Sequence, residues 1–75
     1  MVENCEEFLR KNGFAQFRVR VHEDTARIEL EDADLVRFMD EKLRAAVCAF
    51  FHTEGFRRVT LDLEGYRCGS MNQPG

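Results

Sequence analysis

"FRVRVHEDTARIEL", residues 17–30, is the stretch on which the fold turns. Phe17, Val19 and Val21 alternate with Arg18, Arg20 and His22; after the acidic corner Glu23-Asp24, Ala26, Ile28 and Leu30 alternate with Thr25, Arg27 and Glu29. A period of two is the signature of a strand with one buried face, so residues 15–30 predict a β-hairpin. One face of that hairpin is apolar and needs cover. The other carries guanidinium, carboxylate and imidazole groups.

The cover is encoded on both sides of the hairpin. Residues 2–12 place Cys5, Phe8 and Leu9 on one helical face, and Asn12-Gly13 supplies the left-handed stop. Beyond the hairpin, Asp32 is the expected N-cap of a second helix, with Asp34 in its first turn facing the positive end of the dipole. Leu35, Met39, Leu43, Ala46, Val47 and Phe50 then recur at three- and four-residue steps, and Thr53-Glu54-Gly55 closes the run. A last strand follows, with Val59, Leu61 and Leu63 facing inward and Arg58, Thr60, Asp62 and Glu64 outward. "FLRKNGFAQFRV" and "FFHTEGFRRVTL" echo one another at a separation of 42 residues, each reading helix end, Gly, Phe, strand.

The order is therefore α-β-β-α-β in one α+β domain, residues 1–75. Its three-stranded sheet has two helices on one face, like a ferredoxin-like fold without its first strand. A crossover that skips one strand would make the sheet wholly antiparallel, with residues 15–22 in the centre.

Composition narrows the function classes. A chain of 75 residues buries only about 60% of its unfolded surface, which leaves little room for an enclosed catalytic pocket. It is 44% hydrophobic and 33% charged, with no apolar run near the ~20 residues of a membrane span. Glu3, Glu6 and Glu7 stand where a secretory leader would be basic and then apolar. A net charge of -3 argues against a dedicated nucleic-acid binder. Cys5, Cys48 and Cys68 match neither a disulfide framework nor a zinc site, which fits a reduced, cytoplasmic setting. Cys5 and Cys48 fall on apolar helical faces, whereas Cys68 lies in a loop. His22 and His52 sit on different elements and read as surface or capping groups. No phosphate loop, GxSxG elbow, HExxH or CxxC is present.

The polar sheet face thus gathers Arg18, Arg20, His22, Arg27, Glu29, Arg58, Asp62 and Glu64. Cross-strand ion pairing alone accounts for such a face. Alternatively, cations on rigid strands with the exit loop "EGYRCGS" suit an anionic ligand, since Arg67 and the N–H groups of a glycine-flanked turn can bind phosphate or carboxylate.

"FLRKNGFAQFRVRVHEDTARIEL" followed by "GFRRVTLDLEGYRCGSMN" resembles the C-terminal domain of the LarE family, ATP-dependent sacrificial sulfur transferases of the PP-loop ATP pyrophosphatase superfamily. The resemblance implies a part in making the nickel-pincer nucleotide cofactor. A carboxylate on a pyridinium mononucleotide is adenylated with ATP and then receives sulfur, in one branch from the enzyme's own cysteine. It also implies ATP and a divalent metal for the complete enzyme, with neither bound by this chain alone.

The SGGxDS loop of the PP-loop domain is not in this chain, so activity is not expected without a PP-loop catalytic partner. The sacrificial cysteine belongs to the part not matched here, and its role passes to neither Cys5 nor Cys68; the family usually has Ser where Cys68 stands. Residue by residue, the resemblance assigns phosphate or substrate contacts to Arg18, Arg20 and Arg67, with Gly69 and Ser70 in the same loop, and a metal-site carboxylate to Glu29. Strand geometry adds Asp62 and Glu64 as support. The expected partners are the PP-loop domain, a phosphorylated or carboxylated nucleotide-like ligand and further copies of the chain. A stand-alone small-ligand-binding regulatory domain or an oligomerisation domain are the alternatives.

Overall fold

The computed structural model of the protein describes residues 1–66. Helix α1 (Val2–Lys11) leads into the hairpin β1 (Phe17–His22) and β2 (Thr25–Leu30). A short helix α2 (Asp32–Leu35), a 3-10 turn (Val36–Met39) and helix α3 (Glu41–Thr53) then lead to β3 (Arg58–Leu61). The α-β-β-α-β order and the α+β class are those the sequence predicts.

The sheet differs in its strand order. Its order is β1-β2-β3, with β1 and β2 antiparallel but β2 and β3 parallel, so residues 25–30 and not 15–22 hold the centre. The crossover skips no strand. Residues 31–57 carry the chain back to the end of the sheet at which β2 began, and a helical return of that kind lays the next strand parallel to the last. The burial pattern gives the reason for a central β2. Ala26, Ile28 and Leu30 are all fully buried, whereas Val21 of β1 is exposed and Val19 only half-buried. The strand with the fullest apolar face takes the place with most cover.

Both helices lie on that face. Cys5 and Leu9 of α1 and Val47 and Phe51 of α3 join Phe14, Phe38, Phe56 and the β2 residues in one core. The internal echo has a structural counterpart. Phe14 and Phe56 each follow a left-handed glycine, Gly13 at φ 93° and Gly55 at φ 106°, and each amide donates to the carbonyl five residues back, Leu9 or Phe51. The echoed Phe8 and Phe50 stack on each other at 4.5 Å, joining the two helices. Arg37 fastens the first joint: its guanidinium lies 3.9 Å from the Phe14 ring centre and donates to the carbonyls of Asn12 and Gly13.

The second helix is not continuous. Asp40 leaves helical geometry at φ -74°, ψ 115°, and its Oδ1 accepts from the Lys42 amide at 2.9 Å, capping α3. The break turns Phe38 into the core and leaves Met39 69% exposed, although Met39 fits the helical stripe in sequence. Ala46, another member of that stripe, is exposed, and Phe51 takes the buried position instead. Asp32 does not cap α2; Glu31 stands there with no side-chain cap bond.

The last strand is shorter than its alternation suggests. Asp62 Oδ1 accepts from the Glu64 amide at 2.9 Å and Gly65 turns at φ 82°, so Leu63 is 83% exposed in a turn rather than inward-facing. The chain then rejoins the sheet, the Tyr66 amide donating to Leu30 O at 2.6 Å.

Four outcomes are expected. Phe51→Ala should cost about 3–5 kcal/mol and Asp40→Ala about 1 kcal/mol in urea unfolding, the first being a core cavity and the second a lost cap. Gly65→Ala would set a Cβ 2.6 Å from Leu30 O in a left-handed backbone, so the Tyr66 amide should lose its protection from hydrogen exchange while the hairpin amides keep theirs. Burial, reinforced by the Glu54 carboxylate, pushes the Cys5 thiol up from 9.0 to about 11. The unfolded chain releases that proton first, so stability is complete below pH 9 and falls as pH rises toward 11. Urea midpoints should decline over that range more steeply in the native chain than in Cys5→Ala.

Candidate functional site

The hairpin register determines which charges meet. The two-residue turn sets His22 against Thr25, and counting back from it Arg20 faces Arg27 and Arg18 faces Glu29. On the other side of β2, Arg27 lies beside Thr60 and Thr25 beside Arg58. These side chains share the face opposite Ala26, Ile28 and Leu30, so Arg18, Arg20 and Glu29 come to one surface as predicted.

Two guanidiniums directly opposite each other repel, and a neighbouring carboxylate relieves the repulsion. Glu29 Oε2 accepts from Arg20 Nε at 2.9 Å and from Arg27 Nη2 at 3.3 Å. Glu29 is only 7% exposed, a buried carboxylate held by two cations. Asp62 Oδ2 lies 3.7 Å from Arg27 Nε, a further ion pair on this face. Glu64 lies in the turn beyond the strand, its amide donating to Asp62 Oδ1. Arg20 and Arg27 remain half-exposed and keep further N–H donors toward solvent.

Beside this pair lies an open depression of about 370 Å³, lined by Arg20, Val21, His22, Thr25, Arg27 and Thr60. Its walls offer guanidinium, imidazole and hydroxyl groups, a donor-rich set suited to an oxyanion. Arg18 stands apart, with its guanidinium 5.3 Å from the Tyr66 ring centre. Arg67, Gly69 and Ser70, assigned to ligand binding from the sequence, lie outside the described residues, as does Cys68.

The residue-by-residue expectation leaves out Arg27, Thr25 and Thr60, although Arg27 and His22 stand on the expected polar face. The signal for Arg27 was available: a two-residue turn after His22 pairs 20 with 27 by count alone. Thr60 depends on β3 running parallel beside β2, which alternation does not reveal.

A metal at Glu29 is poorly served by this chain alone. The Glu29 carboxylate is engaged by two guanidiniums, and among the described residues no three His, Cys, Asp or Glu gather as a metal-binding group.

Comparison with known proteins places the chain beside longer relatives. No protein-family profile matches the chain. It is 47% identical over 71 residues to the pyridinium-3,5-bisthiocarboxylic acid mononucleotide synthase of Lactiplantibacillus plantarum, covering 91% of this chain and 24% of that enzyme. An uncharacterized protein of Synechocystis sp. is 39% identical over 72 residues, 96% of this chain and 27% of its own length. Another uncharacterized protein, from Methanocaldococcus jannaschii, is 39% identical over 66 residues, 88% and 25% respectively. The chain thus spans about a quarter of the length of the curated relatives it matches. Over 91% of its length the chain is thus similar to part of that synthase, a match that fits the C-terminal domain of the LarE family.

Proposed function

We propose that this chain supplies the anion-binding part of a LarE-type sulfur transferase that acts in nickel-pincer cofactor synthesis in the cytoplasm, and that it works with a PP-loop ATP-binding catalytic domain or subunit. The observation that carries the reading is the Arg20–Arg27 pair, gathered on one buried carboxylate and opening onto a depression lined by hydroxyls. Two preorganised guanidiniums offer parallel N–H donors to a phosphate or carboxylate without first paying to gather like charges. The Lactiplantibacillus relative is named for a bisthiocarboxylic acid mononucleotide, a compound that carries a phosphate and two thiocarboxylic acid groups. Either anion suits the pair.

In this reading the partner supplies ATP binding and the adenylation that turns a carboxylate into an electrophile, while this chain holds the ligand in place. Arg18 and Arg67 extend the cationic surface, with Gly69 and Ser70 adding backbone and hydroxyl donors. Cys5 is no sulfur donor here, being buried with a thiol that resists ionisation. Among the described residues no helix is long and apolar enough to cross a membrane.

Titration of the isotopically labelled chain with phosphate, AMP and nicotinate mononucleotide tests the proposal. Chemical shifts should move first at Arg20, His22, Thr25, Arg27 and Thr60. Arg20→Ala and Arg27→Ala should each weaken binding by about tenfold or more, near 1.4 kcal/mol, and Arg18→Ala should weaken it less. Unchanged affinity in the first two variants, or shifts confined to the helical side, would remove the anion site from this face.

A further inference from the structure

We propose that β3 is a self-pairing edge, along which two copies of this chain join antiparallel about a two-fold axis at Thr60 to make one six-stranded sheet. Among the described residues nothing pairs with the outer side of β3. Its bonds to β2 fix which groups face that side. The amides of Arg58 and Asp62 donate inward, to Asp24 O and Ile28 O, so Val59 and Leu61 between them direct their N–H and C=O groups outward. Two antiparallel copies pair their outward groups when Val59 meets the partner's Leu61, in a mutual pair of hydrogen bonds formed twice by symmetry.

That register is complementary in side chains as well. Val59 and the partner's Leu61 meet on the apolar face. On the polar face Thr60 meets the partner's Thr60 on the axis, and Arg58 meets the partner's Asp62 on either side of it. Shifting the strands by two residues in either direction keeps the outward hydrogen bonding but sets Arg58 or Asp62 against Thr60, with no charge paired among residues 58–62. Shifting by one puts Val59 and Leu61 on the partner's polar face. Only the register centred on Thr60 satisfies backbone, charge and burial together.

Two further features favour a second copy as the occupant. An apolar cleft of about 170 Å³ opens beside this edge, lined by Phe38, Met39, Cys48, Val59 and Leu61, and the two-fold brings both clefts and both exposed Met39 side chains to the same seam. The other edge is protected. In antiparallel self-pairing of β1 about Val19, Arg18 faces the partner's Arg20; about Arg18 or Arg20, each arginine faces itself. Like charges therefore guard β1, whereas opposite charges invite pairing along β3.

The inference does not rest on the anion site, although Thr60 and Asp62 belong to both, and its test contains no ligand. Sedimentation of the 75-residue chain over a range of concentrations at low salt should show a dimer, with the Val59 and Leu61 amides gaining protection from hydrogen exchange as concentration rises. Arg58→Asp and Asp62→Arg each set like charges across the seam and should weaken association at least about tenfold. An equimolar mixture of the two restores both pairs and should dimerise like the native chain. A native chain that stays monomeric to about 1 mM, a mixture no better than its components, or Val59 and Leu61 exchange that is indifferent to concentration would each overturn the proposal. If Asp62→Arg unfolds the chain by losing Arg27, the exchange measurement on the native protein still decides.

Discussion

The turn at Glu23 and Asp24 sets His22 against Thr25, and every later contact on the sheet is counted from that pairing. Glu23 holds φ 56°, a left-handed conformation that costs a non-glycine residue roughly 1–2 kcal/mol. The Asp24 carbonyl then accepts from the Arg57 amide at 2.8 Å, so the same turn receives the chain as it enters β3. A slip of one residue at this corner would send Ala26, Ile28 and Leu30 to solvent and pull the arginines under the helices. The core and the charged face are two consequences of one register.

The charged face is an ordered array with a buried acid at its centre. Glu29 could not be read as buried from its place in an alternating strand, because alternation assigns it to the solvent side. It is covered because Arg20 and Arg27 close over it from adjacent strands, and the low exposure of the carboxylate strengthens both contacts. The cations so gathered stay half-exposed. A face built in this way holds its charges in place before a ligand arrives.

The helical layer shows a different balance between local and long-range effects. The two joints at Gly13 and Gly55 are local, and both form as their sequences predict, with the same backbone bonds on each side. Between them, the break at Asp40 overrides a helical stripe that appears continuous in sequence. Phe38 gains burial against Phe14, and Asp40 recovers the cost of the break as a cap. Met39, left outside, is the residue the stripe would have buried.

Much of this protein was legible in its sequence: the hairpin, the first helix, both glycine stops, and the gathering of Arg18, Arg20 and Glu29 on one face. Each rests on a period or a capping residue that acts within a few positions along the chain. Tertiary structure alone decided that β2 is central, that β3 runs parallel beside it, that Phe38 displaces Met39, and that β3 ends before Leu63. These depend on which apolar face wins cover from two helices, a competition between segments far apart in sequence. Thr60 joins Arg20 and Arg27 for the same reason: side-chain alternation says which way a residue points, but only packing says what lies beside it.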